Sequence, residues 1–148
     1  MNNFQLENIL RKDVFSSRHF LGIFSRNNLP RKFVYPCSFI FNSDKNTGKG
    51  EHWLSIYFTK DEKCLFLDSL GLGPQFYGME KYIKKRATFL SFNKHPIQSM
   101  ESNFCGLYCL LFILIISRGI SFKKFLQHFS LKTIKNDILI RNLLEKYK

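Results

Sequence analysis

Apolar and polar positions follow two rhythms along this chain. Up to position 14, Phe4, Leu6, Ile9, Leu10 and Val14 recur near helical spacing, which predicts a short helix over 4–14, broken by Ser16, Ser17 and Gly22. Asn27-Asn28-Leu29-Pro30 reads as a turn, because Pro30 pushes Leu29 out of helical geometry. The residues that follow are β-branched and aromatic and predict a strand over 33–41, which Pro36 assigns to an edge or a bulge. A polar loop over 42–50 leads into a strong strand, His52-Trp53-Leu54-Ser55-Ile56-Tyr57-Phe58. A turn at Lys60-Asp61-Glu62-Lys63 returns the chain antiparallel as Cys64-Leu65-Phe66-Leu67-Asp68.

Gly71, Gly73 and Pro74 stop that strand, and a helix with a basic face is predicted over 76–87. Thr88 to Phe92 alternates like a strand, and Asn93-Lys94-His95-Pro96 turns. The next segment differs in kind. From Cys105 to about Arg118 the chain is apolar almost all round, so it predicts a buried helix closed by Gly119. Ser121 is placed to cap a helix over 122–129, and Ile134, Ile138, Leu139, Leu143 and Leu144 form the stripe of an amphipathic closing helix over 131–147. A sheet packed against a buried helix with further helices defines an α+β domain, and residues 1–148 fit a single one, with no repeat, low-complexity tract or linker.

Composition adds three constraints. At 148 residues and 45% hydrophobic, folding should bury about 70% of the unfolded surface, enough for a real core. Lys and Arg number 23 against 11 Asp and Glu, a net charge of +12 that favours polyanions as partners, DNA first. Lys81, Lys84, Lys85 and Arg86, with Lys123 and Lys124, are the expected basic surface. Four cysteines are too few for a disulfide scaffold and match no zinc spacing, so reduced thiols, no metal and no cofactor are expected. The first residues lack a signal-peptide pattern, and the run Leu107 to Ile116 is only 10 residues, short of the ~20 that span a membrane. The expectation is a soluble, monomeric protein of a reducing compartment, without membrane attachment.

The chemistry concentrates in Gln98-Ser-Met-Glu-Ser-Asn-Phe-Cys105-Gly-Leu-Tyr-Cys109. Cysteines are most often small buried hydrophobes. Cys105, however, stands before Gly106 at the start of the apolar helix, where backbone N–H groups and the helix dipole favour a thiolate. His52 begins one strand of the hairpin and Asp68 ends the other, so a base and its orienting carboxylate are expected side by side, about 5 Å between Cβ atoms if directly opposed. Trp53 is expected to pack its face over the imidazole. Gln98 lies seven residues before Cys105 and is placed to donate to a developing oxyanion, together with the Cys105 backbone N–H. Losing one such donor typically costs roughly 10²–10³ in rate.

The order His52, Asp68, Gln98, Cys105, carried on Gly50-Glu51-His52-Trp53, Asp68-Ser69-Leu70-Gly71 and Cys105-Gly106-Leu107-Tyr108-Cys109, resembles the adenovirus-type cysteine proteases, or adenains, a family in one clan with the SUMO-specific proteases. Phe20-Leu21-Gly22 and Asn28-Leu29-Pro30 resemble the N-terminal segment of the adenovirus branch. The resemblance implies a papain-related fold, a central mixed sheet packed around a buried helix that carries the nucleophile. It implies catalysis by Cys105, His52 and Asp68 with Gln98 in the oxyanion hole, cleavage of viral precursor polypeptides during virion maturation, location in the host nucleus and the virion, and activation by DNA or a peptide. Asp68 departs from the adenovirus branch, where Glu is common, and matches the SUMO-protease branch. No cysteine lies near Ala87, so no covalently tethered activating peptide is expected; the adenovirus enzymes also carry a segment beyond the closing helix. The alternatives are an isopeptidase for ubiquitin-like proteins and a basic DNA-binding module without enzymatic activity.

Overall fold

The computed structural model describes residues 2–44 and 52–147; the predicted loop beyond Asp44, with Gly50 and Glu51, lies outside them. In chain order the elements are α1 (Asn3–Lys12), β1 (Phe20–Ser25), β2 (Cys37–Asn42), β3 (Trp53–Phe58), β4 (Lys63–Leu67), α2 (Glu80–Lys84), β5 (Phe89–Phe92), α3 (Cys105–Ile116), α4 (Phe122–Gln127) and α5 (Thr133–Leu144), with single 3-10 turns at Pro74–Tyr77 and Glu145–Tyr147. The strands form one sheet in the order β1-β2-β3-β4-β5. The inner pairs β2/β3 and β3/β4 are antiparallel, and the edge pairs β1/β2 and β4/β5 are parallel.

Period-two alternation sorts the sheet's side chains between two cores. Ile40, Tyr57 and Leu67 face the helices with Leu6, Leu10, Leu110 and Phe112. Phe39, Phe41, Leu54, Ile56, Phe58 and Phe66 face the opposite way, against Tyr77, Met79 and Ile83. α3 lies in the first core, nearly every residue buried. A small residue lets it approach: a Cβ on Gly106 would stand 3.1 Å from Leu6 Cδ1 and 3.6 Å from Trp53 Cδ1.

Several expectations change. The segment 20–25 forms an edge strand that no local alternation announced. Pro36 precedes β2 and does not interrupt it, and β2 is an interior strand. The helix expected over 76–87 is cut by Gly78 in the left-handed region (φ 69°), leaving the 3-10 turn and the five-residue α2. Arg86 is held apart from the lysines of that surface: its guanidinium donates to the carbonyls of Tyr82 and Arg31. α5 is rotated from the expected orientation. Ile134, Ile138, Leu139 and Leu143 are exposed, and Asn136, Asp137, Ile140 and Leu144 point inward.

That rotation has a physical cause. Asn136 Nδ2 donates to the Ile97 carbonyl at 3.0 Å and to the Ser130 carbonyl at 2.7 Å. Asp137 Oδ1 accepts from the Tyr108 hydroxyl at 2.6 Å and from the Ser99 N–H at 3.4 Å. The irregular segment around Gln98 carries backbone groups that cannot be buried unpaired, and α5 supplies their partners. The same segment rests on the turn after β4, where the N–H groups of Ile97 and Gln98 both donate to the Ser69 carbonyl. Gly71 makes this approach possible. Its φ is +79°, and a Cβ there would lie 2.5 Å from Pro96 N and 2.6 Å from His95 C. Gly71→Ala is expected to destabilise the protein by at least about 1–3 kcal/mol, from the strained backbone alone, read as a lower urea midpoint; an unchanged midpoint would contradict this packing.

Candidate active site

Three side chains from distant parts of the chain converge at the N-terminal end of α3. His52 leads into β3, Asp68 follows β4 and Cys105 opens α3. His52 Nε2 stands 2.7 Å from Asp68 Oδ1. A carboxylate oxygen only accepts, so Nε2 carries the proton and Nδ1 is left for the sulfur. The two residues lie at adjacent strand ends, as expected, but are not a directly opposed pair. The register pairs Ser55 with Leu67, which puts Leu54 opposite Asp68 and His52 two positions further along. The imidazole spans this diagonal offset, a reach that suits a long side chain.

Asp68 is fully buried, and its carboxylate is surrounded by donors. Oδ1 also accepts from the Leu70 N–H at 2.9 Å, and Oδ2 from the Leu72 N–H at 3.0 Å and the Tyr77 hydroxyl at 2.6 Å. Its backbone is clamped by Asn93, which accepts from the Asp68 N–H through Oδ1 and donates to the Asp68 carbonyl through Nδ2. Tyr77, with its ring centroid 6.4 Å from that of His52, lies beside the imidazole where Trp53 was expected. Trp53 packs instead with the helical core. Neither Tyr77 nor Asn93 was singled out in the sequence.

The four cysteines are free, and their environments separate them. Burial pushes the Cys37 thiol up to about 12 and raises Cys64 and Cys109 as well. Cys105 goes the other way. Burial opposes its ionisation but is outweighed by hydrogen bonding to His52 and to the backbone N–H groups of Trp53 and Gly106, so its pKa lies below the ordinary thiol value. Both amides are available for structural reasons. The Ser43 N–H bonds the His52 carbonyl, so the next amide along β3, that of Trp53, faces away from β2. On that side β4 has already ended at Leu67, two residues short of the position opposite Trp53. At α3, no side chain caps the first turn, which leaves the Gly106 N–H for the sulfur.

His52 is the matching half. Burial works against its charge, and the bonds to Asp68 and Cys105 overcome this, raising its pKa to about 9. A thiol pulled down and an imidazole pulled up favour the thiolate–imidazolium pair at neutral pH. Iodoacetamide is therefore expected to alkylate Cys105 fast at pH 6.5, where a free thiol of pKa about 8.5 is only about 1% ionised. Hydrolysis that needs the imidazolium proton should then fall as pH rises through about 9. An alkylation profile that follows a free thiol would contradict the ion pair.

Gln98 is 3% exposed and fixed at both ends of its amide. Nε2 donates to the Ser102 carbonyl at 2.9 Å, and Oε1 accepts from the Ser69 hydroxyl at 2.5 Å. A carbonyl cannot donate, so the orientation of the amide is determined. Its nitrogen has two N–H groups, of which Ser102 uses one. The nitrogen is thus anchored three residues short of Cys105. A cleft of about 220 Å³ is lined by the chain neighbours of Cys105, Phe104 and Gly106, with Trp53, Asn103, Leu107 and Arg141 among others.

The mixed sheet packed on a buried helix is a fold this chain has in common with solved cysteine-protease structures, as the resemblance implied. Three solved structures share it: ChlaDub1 from Chlamydia trachomatis (TM-score 0.55, 13% identity, 76% of this chain and 58% of that one), the ASFV pS273R protease (0.53, 20%, 90% and 62%) and the SUMO protease Ulp1 with its catalytic cysteine oxidised to a sulfinic acid (0.50, 15%, 100% and 79%). The chain thus spans about three fifths of the length of the first two. No model of a known protein family matches the sequence, and no curated protein does. Among the described residues, no helix is long and apolar enough to cross a membrane.

Proposed function

We propose that this protein is a cysteine endopeptidase in which Cys105 is the nucleophile, His52 the general base and acid, and Asp68 the orienting carboxylate. The observation that carries this reading is the convergence of three side chains, with the His52 imidazole hydrogen-bonded to Cys105 on one side and 2.7 Å from Asp68 Oδ1 on the other. The thiolate attacks a peptide carbonyl carbon, and the carbonyl oxygen becomes an oxyanion. That oxyanion takes hydrogen bonds from the Cys105 backbone N–H and from the Gln98 amide. As the tetrahedral intermediate collapses, His52 gives its proton to the leaving amine, and an acyl-thioester remains on Cys105. Water, losing a proton to His52, attacks the thioester and releases the acid and the Cys105 thiolate, which restores the pair with the His52 imidazolium.

We further propose viral precursor polypeptides as the substrates, cut during maturation in the host nucleus and the virion. Two things support this choice: the order and spacing of His52, Asp68, Gln98 and Cys105, and the likeness to the ASFV pS273R protease across 90% of the chain. The second reading, an isopeptidase acting on ubiquitin-like proteins, is supported by Asp68 in the carboxylate position and by Ulp1, which matches 100% of the chain. DNA remains the proposed polyanionic partner on the charge of +12, with Lys81, Lys84 and Lys85 exposed on α2 and its end, and Lys123 and Lys124 on α4.

One panel separates these readings: glycine-containing peptides, each with and without DNA, beside a fluorogenic reporter attached to the C-terminus of a ubiquitin-like protein. Peptide cleavage that iodoacetamide abolishes supports the endopeptidase. Cleavage of the reporter alone moves the substrate to ubiquitin-like proteins. Salt-sensitive DNA binding with no cleavage of either sinks the enzymatic reading.

A further inference from the structure

On the opposite face of the sheet from α3, the turn after β1 and the segment that contains α2 enclose a second cleft, of about 440 Å³. Arg26, Arg31 and Arg86 line it, and among the described residues no acidic side chain does. We propose that this cleft binds a compact polyphosphate anion, two or three linked phosphate groups in size.

Arg86 is already fixed in place. Its Nη1 donates to the Tyr82 carbonyl at 3.0 Å, its Nε and Nη2 donate to the Arg31 carbonyl at 3.3 and 3.2 Å, and its guanidinium lies 3.9 Å over the Tyr82 ring. Those partners are neutral, so the charge is held in position without being cancelled. Three arginines line one concavity, and an anion with several charged oxygens can answer their charge through paired N–H···O bonds. The aromatic walls narrow the ligand class. Arg86 covers a face of Tyr82, and Tyr77 is only 8% exposed, which leaves poor stacking surface for a base. The cleft therefore reads phosphate groups and not a nucleobase. It also adjoins the candidate active site through one side chain, because the Tyr77 ring lines the cleft and its hydroxyl bonds Asp68 Oδ2.

The test is a calorimetric titration of the intact protein with inorganic tripolyphosphate, beside sodium chloride at matched ionic strength and a short oligothymidylate. The readout is binding, so it stands or falls independently of turnover. Saturable tripolyphosphate binding is expected, at least tenfold weaker in Arg26→Gln plus Arg31→Gln and unchanged in Lys123→Gln plus Lys124→Gln. Oligothymidylate is expected to bind weakly here and to lose little in the arginine pair. The proposal is overturned if the arginine pair leaves tripolyphosphate binding intact, if the lysine pair removes it equally, or if only oligothymidylate binding depends on Arg26 and Arg31. A circular-dichroism melt of each variant separates lost binding from lost fold.

Discussion

Alanine at position 105 is expected to reduce peptide hydrolysis by about 10⁶-fold, the scale seen when a catalytic nucleophile is removed from a unit that works only as a whole. No neighbouring thiol can take over. Cys109 is on the same helix, but it is 1% exposed and burial holds its thiol protonated. Cys37 and Cys64 face the opposite core. The variant should fold, because the thiol contributes a sulfur in an uncapped first turn and not a packed core side chain. A melting temperature within a few degrees of the parent would therefore assign the loss to chemistry. Hydrolysis above about 1% of the parent rate would remove Cys105 from the mechanism, since so small a loss is far below what a nucleophile contributes.

What the sequence could say about this site depended on how local each signal was. Cys105, His52 and Asp68 were legible because the hairpin and the apolar helix that position them are contiguous patterns, strand-turn-strand and a run with no polar face. Their offset was not legible, because register depends on the turn, and Glu62 in a left-handed conformation (φ 62°) helps set it. The support around Asp68 was hidden for a related reason. Asn93 reaches Asp68 only because β5 lies parallel to β4, with Phe66 paired to Phe92, and parallel neighbours far apart in the chain leave no local mark. Once that pairing is assumed, Asn93 falls beside the end of β4.

α5 shows where the apolar-stripe rule failed. Ile134, Ile138, Leu139 and Leu143 were expected inside, but the backbone near Gln98 needed Asn136 and Asp137, and an unpaired buried backbone group costs about 1–3 kcal/mol. The helix turns Asn136 and Asp137 toward those groups and still buries Ile140 and Leu144. The closing helix is thereby a support for the segment that carries Gln98, through Ile97 and Ser99 on either side of it. Ser69 has the same role from below, since it orients the Gln98 amide directly and follows the acid in sequence. The turn after β4 thus holds both Asp68 and, through Ser69, the Gln98 amide, which makes Asp68 the residue whose replacement tests the whole support.

Asp68→Asn is expected to lower kcat/KM by about 10⁴-fold, the size of effect that follows when the base is left in the wrong tautomer. The geometry gives the reason. In the parent, both carboxylate oxygens face backbone donors, Leu70 N–H on Oδ1 and Leu72 N–H on Oδ2. An asparagine must put its NH₂ at one of these positions, so a donor meets a donor whichever way the amide turns. With NH₂ toward His52, the imidazole must accept at Nε2 and carry its proton on Nδ1, where the thiol proton has to go. With NH₂ toward Leu72 and Tyr77, His52 keeps an acceptor but loses the charge that stabilises its imidazolium. Either way the His52 pKa should fall from about 9, because one of the bonds that raised it is weakened. The Cys105 thiolate then loses its counter-ion, and the pH at which iodoacetamide alkylation begins should move upward. A stability loss of about 1–3 kcal/mol should accompany it, from the buried N–H left without an acceptor. Unchanged alkylation and hydrolysis profiles in a folded Asp68→Asn protein would mean that the carboxylate does not govern the imidazole.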